Sequence, residues 1–283
     1  MSFSVSYNDI GKSARNLLLR DFPIGGVKLD VKTTAPNGVA FRINGQRDNR
    51  TGIIIGDLET KYMDRKTGFA ITESWTTSNQ INGKIELNNN LAKGLKIEFL
   101  TSLIPNAKEK AAKLNVTYRQ ASVLTAINYD VFKNVMSVNS TSNRGGFVVG
   151  AEAAYNVRDA KIHRYNAAVG YSTNEYAIAI NSANNMSQFA VSYYHRVNGD
   201  LEASGKAVWS KTTMNGVALE VGARMRLDKT SFIKGKVTNS GIVGASYTQQ
   251  VRPGVKINFG AAIDTNRLNE NGHKVGMALT FEN

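Results

Sequence analysis

From about residue 27 to the C-terminus, apolar and polar side chains alternate with period two, the pattern of strands that turn one face to a greasy medium and the other to water. Val27, Leu29 and Val31 alternate with Lys28, Asp30 and Lys32, and Val39, Phe41 and Ile43 oppose Arg42 and Asn44. The same form recurs at Leu95, Ile97, Phe99, at Leu114, Val116, Tyr118, at Val217, Leu219, Val221, at Val255, Ile257, Phe259, and at Val275, Met277, Leu279, Phe281. Asn37-Gly38, Asn198-Gly199, Asn215-Gly216 and Asn271-Gly272 separate these windows and suit the positive φ of tight hairpin turns. Pro23, Pro36, Pro105 and Pro253 all fall between windows, where no ladder hydrogen bond is lost. The windows number about 17 to 20, with no linker or composition break between them, in the spacing of membrane barrels with short turns. Asn and Ser dilute the alternation at residues 133–142 and 176–192.

Only the N-terminus departs from this period. Tyr7, Ile10, Ala14 and Leu17 or Leu18 recur at helical spacing, with Asp9, Lys12, Arg15, Asn16 and Arg20 on the other side. Ser6 or Asn8 is the expected cap, and Gly25-Gly26 the expected flexible joint to the first strand. A single domain over 1–283 follows, with helix and linker at 1–26 and the barrel at 27–283.

Alternation also fits a soluble sandwich or barrel, whose apolar face points inward. Strand number separates the two. About eight strands enclose a space that side chains fill, whereas nearly twenty enclose a lumen too wide to fill, which must be wet. Polar residues then line the inside and the apolar face meets hydrocarbon. The fold class is therefore an all-β membrane protein, a transmembrane β-barrel with a short N-terminal α-helix in the lumen. Tyr62, Tyr118, Tyr155, Tyr165, Tyr171, Tyr176, Tyr193, Trp209 and Tyr247, near window ends on the apolar parity, read as interfacial girdles or as ordinary strand preference for aromatics.

Composition adds four points. No apolar run approaches the roughly 20 residues of a membrane-spanning helix. Residues 1–25 lack the apolar core and cleavage site of a secretory signal. Cysteine is absent, which removes disulfides, thiolate metal sites and cysteine nucleophiles. The net charge of +13 predicts attraction for phosphate-bearing partners.

Strand parity places Lys28, Lys32, Arg42, Lys61, Lys84, Lys96, Arg119, Lys206, Arg224, Lys234, Lys236 and Lys256 inward, partly offset by Asp30, Asp57, Glu59, Glu98, Glu152 and Glu220. Such a field would concentrate ATP, ADP, phosphate and carboxylate metabolites around a water-filled path, with no cofactor involved. The plainer alternative is a set of solvated charges without selectivity. Glu73 shares parity with Phe69, Ile71 and Trp75, so a carboxylate falls on the lipid face, where it is costly and marks a functional candidate; a local bulge turning it inward is the alternative. A nucleic-acid-binding reading needs stacking aromatics among the cations, and here the aromatics fall mainly on the opposite parity. An enzyme is not indicated: His163, His195 and His273 match no metal or triad spacing. Gly11-Lys12-Ser13 has the outline of a phosphate-binding loop, but Ser6 stands where the earlier glycine is required and no strand precedes it.

Three stretches carry a family resemblance over the whole chain: Tyr7 through Arg15 (YNDIGKSAR), Gly94-Leu95-Lys96, and Tyr247 through Phe259 (YTQQVRPGVKINF). The chain resembles the voltage-dependent anion channels, the mitochondrial porins, in wording nearest to fungal members. The resemblance implies a barrel of 19 strands with parallel first and last strands, an odd count for which that family is the known exception. It implies a voltage-gated, weakly anion-selective diffusion channel of the mitochondrial outer membrane, passing nucleotides and small anionic metabolites, in contact with membrane lipids and able to form a homo-oligomer. It implies a helix against the inner wall that narrows the pore, with Lys12, Arg15 and Arg20 meeting nucleotide phosphates. Lys274, Gly276, Leu279 and Phe281 resemble the C-terminal sorting signal of such barrels, or are simply a last strand. Some family members carry a lipid-facing glutamate beside the tryptophan at the place of Glu73, linked to gating and self-association. A protein-translocating barrel of the same fold is the alternative, but would normally bring long soluble extensions and a more acidic lumen.

Overall fold

The computed structural model describes residues 4–64, 66–107, 109–211, 216–270 and 272–283. Among them, nineteen strands follow one another: β1 (Gly26–Thr34), β2 (Ala40–Asp48), β3 (Ile54–Asp64), β4 (Phe69–Thr76), β5 (Ile81–Asn88), β6 (Leu95–Ile104), β7 (Glu109–Arg119), β8 (Val123–Asp130), β9 (Val135–Arg144) and β10 (Phe147–Asn156). The second half comprises β11 (Lys161–Ser172), β12 (Tyr176–Ala183), β13 (Gln188–Arg196), β14 (Leu201–Ser210), β15 (Ala218–Arg226), β16 (Ser231–Thr238), β17 (Ile242–Arg252), β18 (Val255–Asp264) and β19 (Lys274–Glu282). The diluted windows do form strands, as β9, β12 and β13.

Each strand pairs antiparallel with the next, and β1 closes the sheet on β19 in parallel register, Val27 opposite Met277 and Leu29 opposite Leu279. Parity of the count explains that seam: in an up-and-down meander of odd number the first and last strands run the same way. Closure satisfies every ladder and leaves no open edge, the condition for spanning hydrocarbon with strands. Strands of 8 to 12 residues match the thickness a tilted strand must cross. At ordinary strand spacing and tilt, nineteen strands give a backbone diameter of roughly 35 Å. No described helix is long and apolar enough to cross a membrane.

The turns correct the glycine reading in part. Gly38 and Gly216 take positive φ, 84° and 77°, but Gly199 and Gly272 do not. Around Gly199 the turn is instead built by Asn198 Oδ1, which accepts from the Asp200 and Leu201 amides at 2.9 and 2.8 Å. Asn215 and Asn271 lie outside the described residues.

The cap expectation fails. A short 3-10 turn at Tyr7–Asp9 precedes the helix α1 (Lys12–Leu19), and neither Ser6 nor Asn8 caps α1. Gly11 occupies the N-cap position in the left-handed region, φ 75°, a conformation nearly free only to glycine. The joint is no loose tether either. Gly25 donates to the Val275 carbonyl at 3.1 Å, the Asn49 amide donates to the Gly25 carbonyl at 2.9 Å, and a Cβ on Gly26 would lie 2.2 Å from the Arg47 carbonyl oxygen.

Candidate pore and its charged lining

Apolar burial among the described residues is concentrated where the N-terminal segment meets the wall. Ile10 packs with Val148, Ala168 and Ala179, joined by Val5 and Tyr7, while Ala14, Leu17 and Leu18 are also buried. The stripe Tyr7, Ile10, Ala14 and Leu17 or Leu18 read from the sequence lies against the wall, with Leu17 and Leu18 both buried and Leu18 only 1% exposed.

Small residues on the wall make that seat. A Cβ on Gly150 would come within 2.9 Å of Tyr7 and 3.1 Å of Ile10; one on Gly222, within 2.9 Å of Leu18; one on Gly260, within 2.2 Å of the Pro23 carbonyl oxygen. A Cβ on Gly276 would lie 2.6 Å from the Gly26 carbonyl oxygen and 2.8 Å from that of Pro23. The segment therefore crosses the wall from β9 and β10 past β13, β14 and β15 to β18 and β19. The sequence reading missed this track, because a glycine in a strand signals close approach without saying of what.

These contacts fix which face is lumenal, and the registers carry the assignment around the barrel. Arg119 pairs with Leu124, Leu124 with Thr141, and Thr141 with Gly150. Glu202 pairs with Arg224, Arg224 with Lys234, and Lys234 with Ser246. Lys28, Lys32, Arg42, Lys61, Lys84, Lys96, Lys206, Lys236 and Lys256 share that parity.

Many of these cations are not free. Lys84 and Lys96 each bridge Glu86 (3.1 and 2.8 Å) and Glu98 (2.8 and 2.7 Å), and Lys61 reaches Glu86 at 3.5 Å. Arg42 grips Asp30 through two hydrogen bonds of 3.0 Å, Lys236 holds Glu220 at 2.9 Å, and Arg224 lies 3.6 Å from Glu202. Lys32 is 3.8 Å from Glu282. On the N-terminal segment Lys12 pairs with Asp9 at 2.9 Å and Arg15 donates to the Asn8 carbonyl. Among the described residues, Arg20, Lys28, Lys113, Arg119, Arg196, Lys206 and Arg226 have no carboxylate within ion-pair distance.

Lumenal cations that escaped the sequence reading include Lys113, Arg164, Arg196 opposite Glu202, and Arg226 opposite Phe232. Lys113 shares the parity of Arg119 on β7 and was visible by that rule. Arg164, 2.9 Å from Glu152, keeps the register of Asn166 and Ala168 and was equally visible by parity; the bulge at Ala154/Tyr155 lies beyond it and instead brings Lys161 opposite Asn156. Glu86 and Glu202 were likewise legible by parity.

Beside α1 the lining forms a cavity of about 360 Å³ with Arg20, Asp21, Glu202, Arg224, Phe232 and Lys256 on its walls. The Arg224 guanidinium lies 4.3 Å from the Phe232 ring centre, with the Lys256 and Lys234 ammonium groups at 5.8 and 5.9 Å. Such clustering presents positive charge beside an apolar plate, a surface for phosphates and flat rings. No described group of histidines and carboxylates could hold a metal ion.

The outer face is apolar and exposed, including Ile43, Leu58, Trp75, Val149, Val221 and Val275. Phe147, Tyr171 and Tyr176 adjoin one another, with ring centres 4.4 and 5.9 Å apart, as do Phe189 and Trp209 at 6.0 Å. Tyr247 sits nearer the middle of β17 than its end. Glu73 stays on the outer face: the ladder runs unshifted through Thr60, Glu73 and Gly83, so no bulge turns it inward. Lys274 and Gly276 have lumenal parity and Leu279 and Phe281 outer parity; Gly276 has a packing reason of its own beneath Pro23.

Comparison with known proteins agrees with this architecture. The family model described as eukaryotic porin matches residues 4–276. A Neurospora crassa protein named mitochondrial outer membrane protein porin is 38% identical, with 98% of each chain covered. A Candida albicans protein of the same name is 37% identical over 98% of each chain. A human protein named non-selective voltage-gated ion channel VDAC2 is 34% identical over 100% of this chain and 96% of its own. Among solved structures, a mutant of Rh. blastica porin superposes with TM-score 0.52 at 12% identity, covering 87% of this chain and 96% of that one, a likeness of fold alone. A closed strand barrel with a wet, charged lumen and full-length kinship to porins leaves one assignment: this chain belongs to the eukaryotic porin family, and it is a pore-forming channel, not an enzyme, in the mitochondrial outer membrane.

Proposed function

We propose that the channel passes small anionic metabolites, ATP, ADP and phosphate among them, with a weak preference for anions and closure under voltage. The observation that carries the reading is the excess of lumenal cation without a carboxylate partner: among the described residues, Arg20, Lys28, Lys113, Arg119, Arg196, Lys206 and Arg226 outnumber the lumenal carboxylates Asp57, Glu59 and Asp130, which have no cation within ion-pair distance. Ion pairs such as Arg42–Asp30 cancel at a distance and add little to the field. Unpaired cations do not cancel, and in a wide aqueous bore they raise local anion concentration while leaving small cations only partly excluded.

Lys12, Arg15 and Arg20 on the segment that narrows the bore are the residues we assign to phosphate contact. Their apolar neighbours face the wall, which leaves the charged side toward the path. The outward apolar residues contact lipid, and Glu73 is the candidate for contact with a second copy. Voltage closure is suggested by the printed name of the human relative.

The test is reversal potential in planar bilayers under a potassium chloride gradient. The purified chain should show large conductance with an anion-favouring reversal potential, weakening as salt rises. Lys12→Glu with Arg15→Glu should move that potential toward zero, and an unchanged value in the double variant would refute the role given to the N-terminal segment.

A further inference from the structure

The N-terminal segment is seated by apolar contacts up to Leu18, and beyond it the fastening is ionic. Asp21 has a positive φ of 64°, a turn that carries its carboxylate back to the wall just past the helix end. There Lys234 on β16 lies 3.2 Å from Asp21 Oδ2, and Lys256 on β18 lies 3.4 Å from Asp21 Oδ1. Lys234 also donates to the Asn16 carbonyl at 3.2 Å and the Arg20 carbonyl at 2.9 Å. Its ammonium therefore serves the last carbonyls of the helix, of which that of Asn16 also accepts the Arg20 amide at 3.1 Å, and the negative dipole end of α1 together with the Asp21 carboxylate. Only 5% of the Lys234 side chain and 18% of the Asp21 side chain are exposed, so solvent screens this pair weakly.

We propose that Asp21 is a positioning residue for conduction: with Lys234 and Lys256 it latches the C-terminal end of α1 to the wall and so holds the open width of the pore. The inference rests on the reading that this segment narrows the bore. Without the carboxylate, two ammonium groups face each other and Arg224 with no anion between them except Glu202, and the segment end loses its hold.

Burial pushes the Asp21 carboxyl up, but the Lys234 and Lys256 charges and the Lys234 hydrogen bond more than offset this and hold it below the ordinary carboxylate range. Arg20 on its own segment acts in the same direction. A depressed carboxyl holds its charge as pH falls through that range, so the latch survives mild acid and is lost only below it.

The experiment records voltage-dependent closure of the full-length chain in planar bilayers. Asp21→Asn should close at lower voltage than the wild type, and Asp21→Lys at lower voltage still. Asp21→Lys with Lys256→Glu, which leaves the Lys234 bonds to the helix end in place, should recover toward the wild-type voltage, a rescue that a merely structural role would not give. In the wild type the closing voltage should hold steady through the ordinary carboxylate range and fall below it; in Asp21→Asn that acid step should vanish. Closure of both single variants at the wild-type voltage overturns the latch, as does a double variant no better than Asp21→Lys. Asp21 lies outside every strand ladder, so unchanged circular dichroism is expected for all variants. A wild-type chain that forms no pore would instead sink the channel reading.

Discussion

On the inner wall a missing Cβ decides what can lie against a strand. At Gly260 the nearest atom is the Pro23 carbonyl oxygen and at Gly276 the Gly26 and Pro23 carbonyl oxygens, backbone that cannot move aside as a side chain can, so any larger residue there must displace the segment. At the outer wall the deciding residue is Glu73, a carboxylate on a surface otherwise given to Ile71, Trp75, Leu58 and Ile85. Glu73→Gln should stabilise the barrel by about 1 kcal/mol in lipid, because a charge facing hydrocarbon is replaced by a neutral group. Urea titration in vesicles checks this, and a midpoint shifted downward would remove Glu73 from the lipid face. The residue scale was legible in part: period two alone assigned Glu73 outward, but it could not say that Gly276 fits beneath Pro23, since both partners are set by chain closure.

Among the elements, the strands were easiest to read and the N-terminal segment hardest. β9 was obscured because polar residues occupy both its faces: Thr141 and Asn143 look inward, while Ser140 looks outward and bonds Thr125 at 3.1 Å. With hydroxyls paired across strands, the outer face tolerates them, and the alternation that marks a strand fades. The helix was read as starting earlier than it does, because its apolar spacing continues through Ile10 although the backbone breaks at Gly11. The Tyr7–Ile10 end depends on the Gly150 gap. Gly150→Leu should dislodge that end while the ladders persist, since the clashing groups are the Tyr7, Ile10 and Thr141 side chains. Freeing Ile10 alone forfeits about 1.5 to 3 kcal/mol of burial. Limited trypsin digestion should then cut faster at Lys12 and Arg15 in the variant; equal rates would mean the segment is held by other contacts.

For the whole molecule the quantity that matters is the field along the bore, and charge pairing decides which cations feed it. Glu86 and Glu98 lie directly opposite each other, an arrangement tolerable because Lys84 and Lys96 bridge them. Lys84→Gln should therefore lower stability by about 1 kcal/mol and change selectivity little. Lys206→Gln, which removes an unpaired charge, should reduce anion preference with little effect on stability. Melting in detergent and reversal potentials on the same two proteins separate these outcomes, and the reverse assignment of effects would undo the pairing argument. The sequence by itself determined the strand alternation, the outward apolar face and the excess of cation on the inner one, because side-chain period is a local property of extended backbone. Parity also carried most of the lumenal lysines, wherever the ladder held its register. Only the tertiary structure decided which cations are neutralised, that the bulge in β11 brings Lys161 opposite Asn156, and how residues 5–26 cross the wall. Those depend on which strands closure brings side by side, and on contacts between residues more than a hundred positions apart that no local pattern encodes.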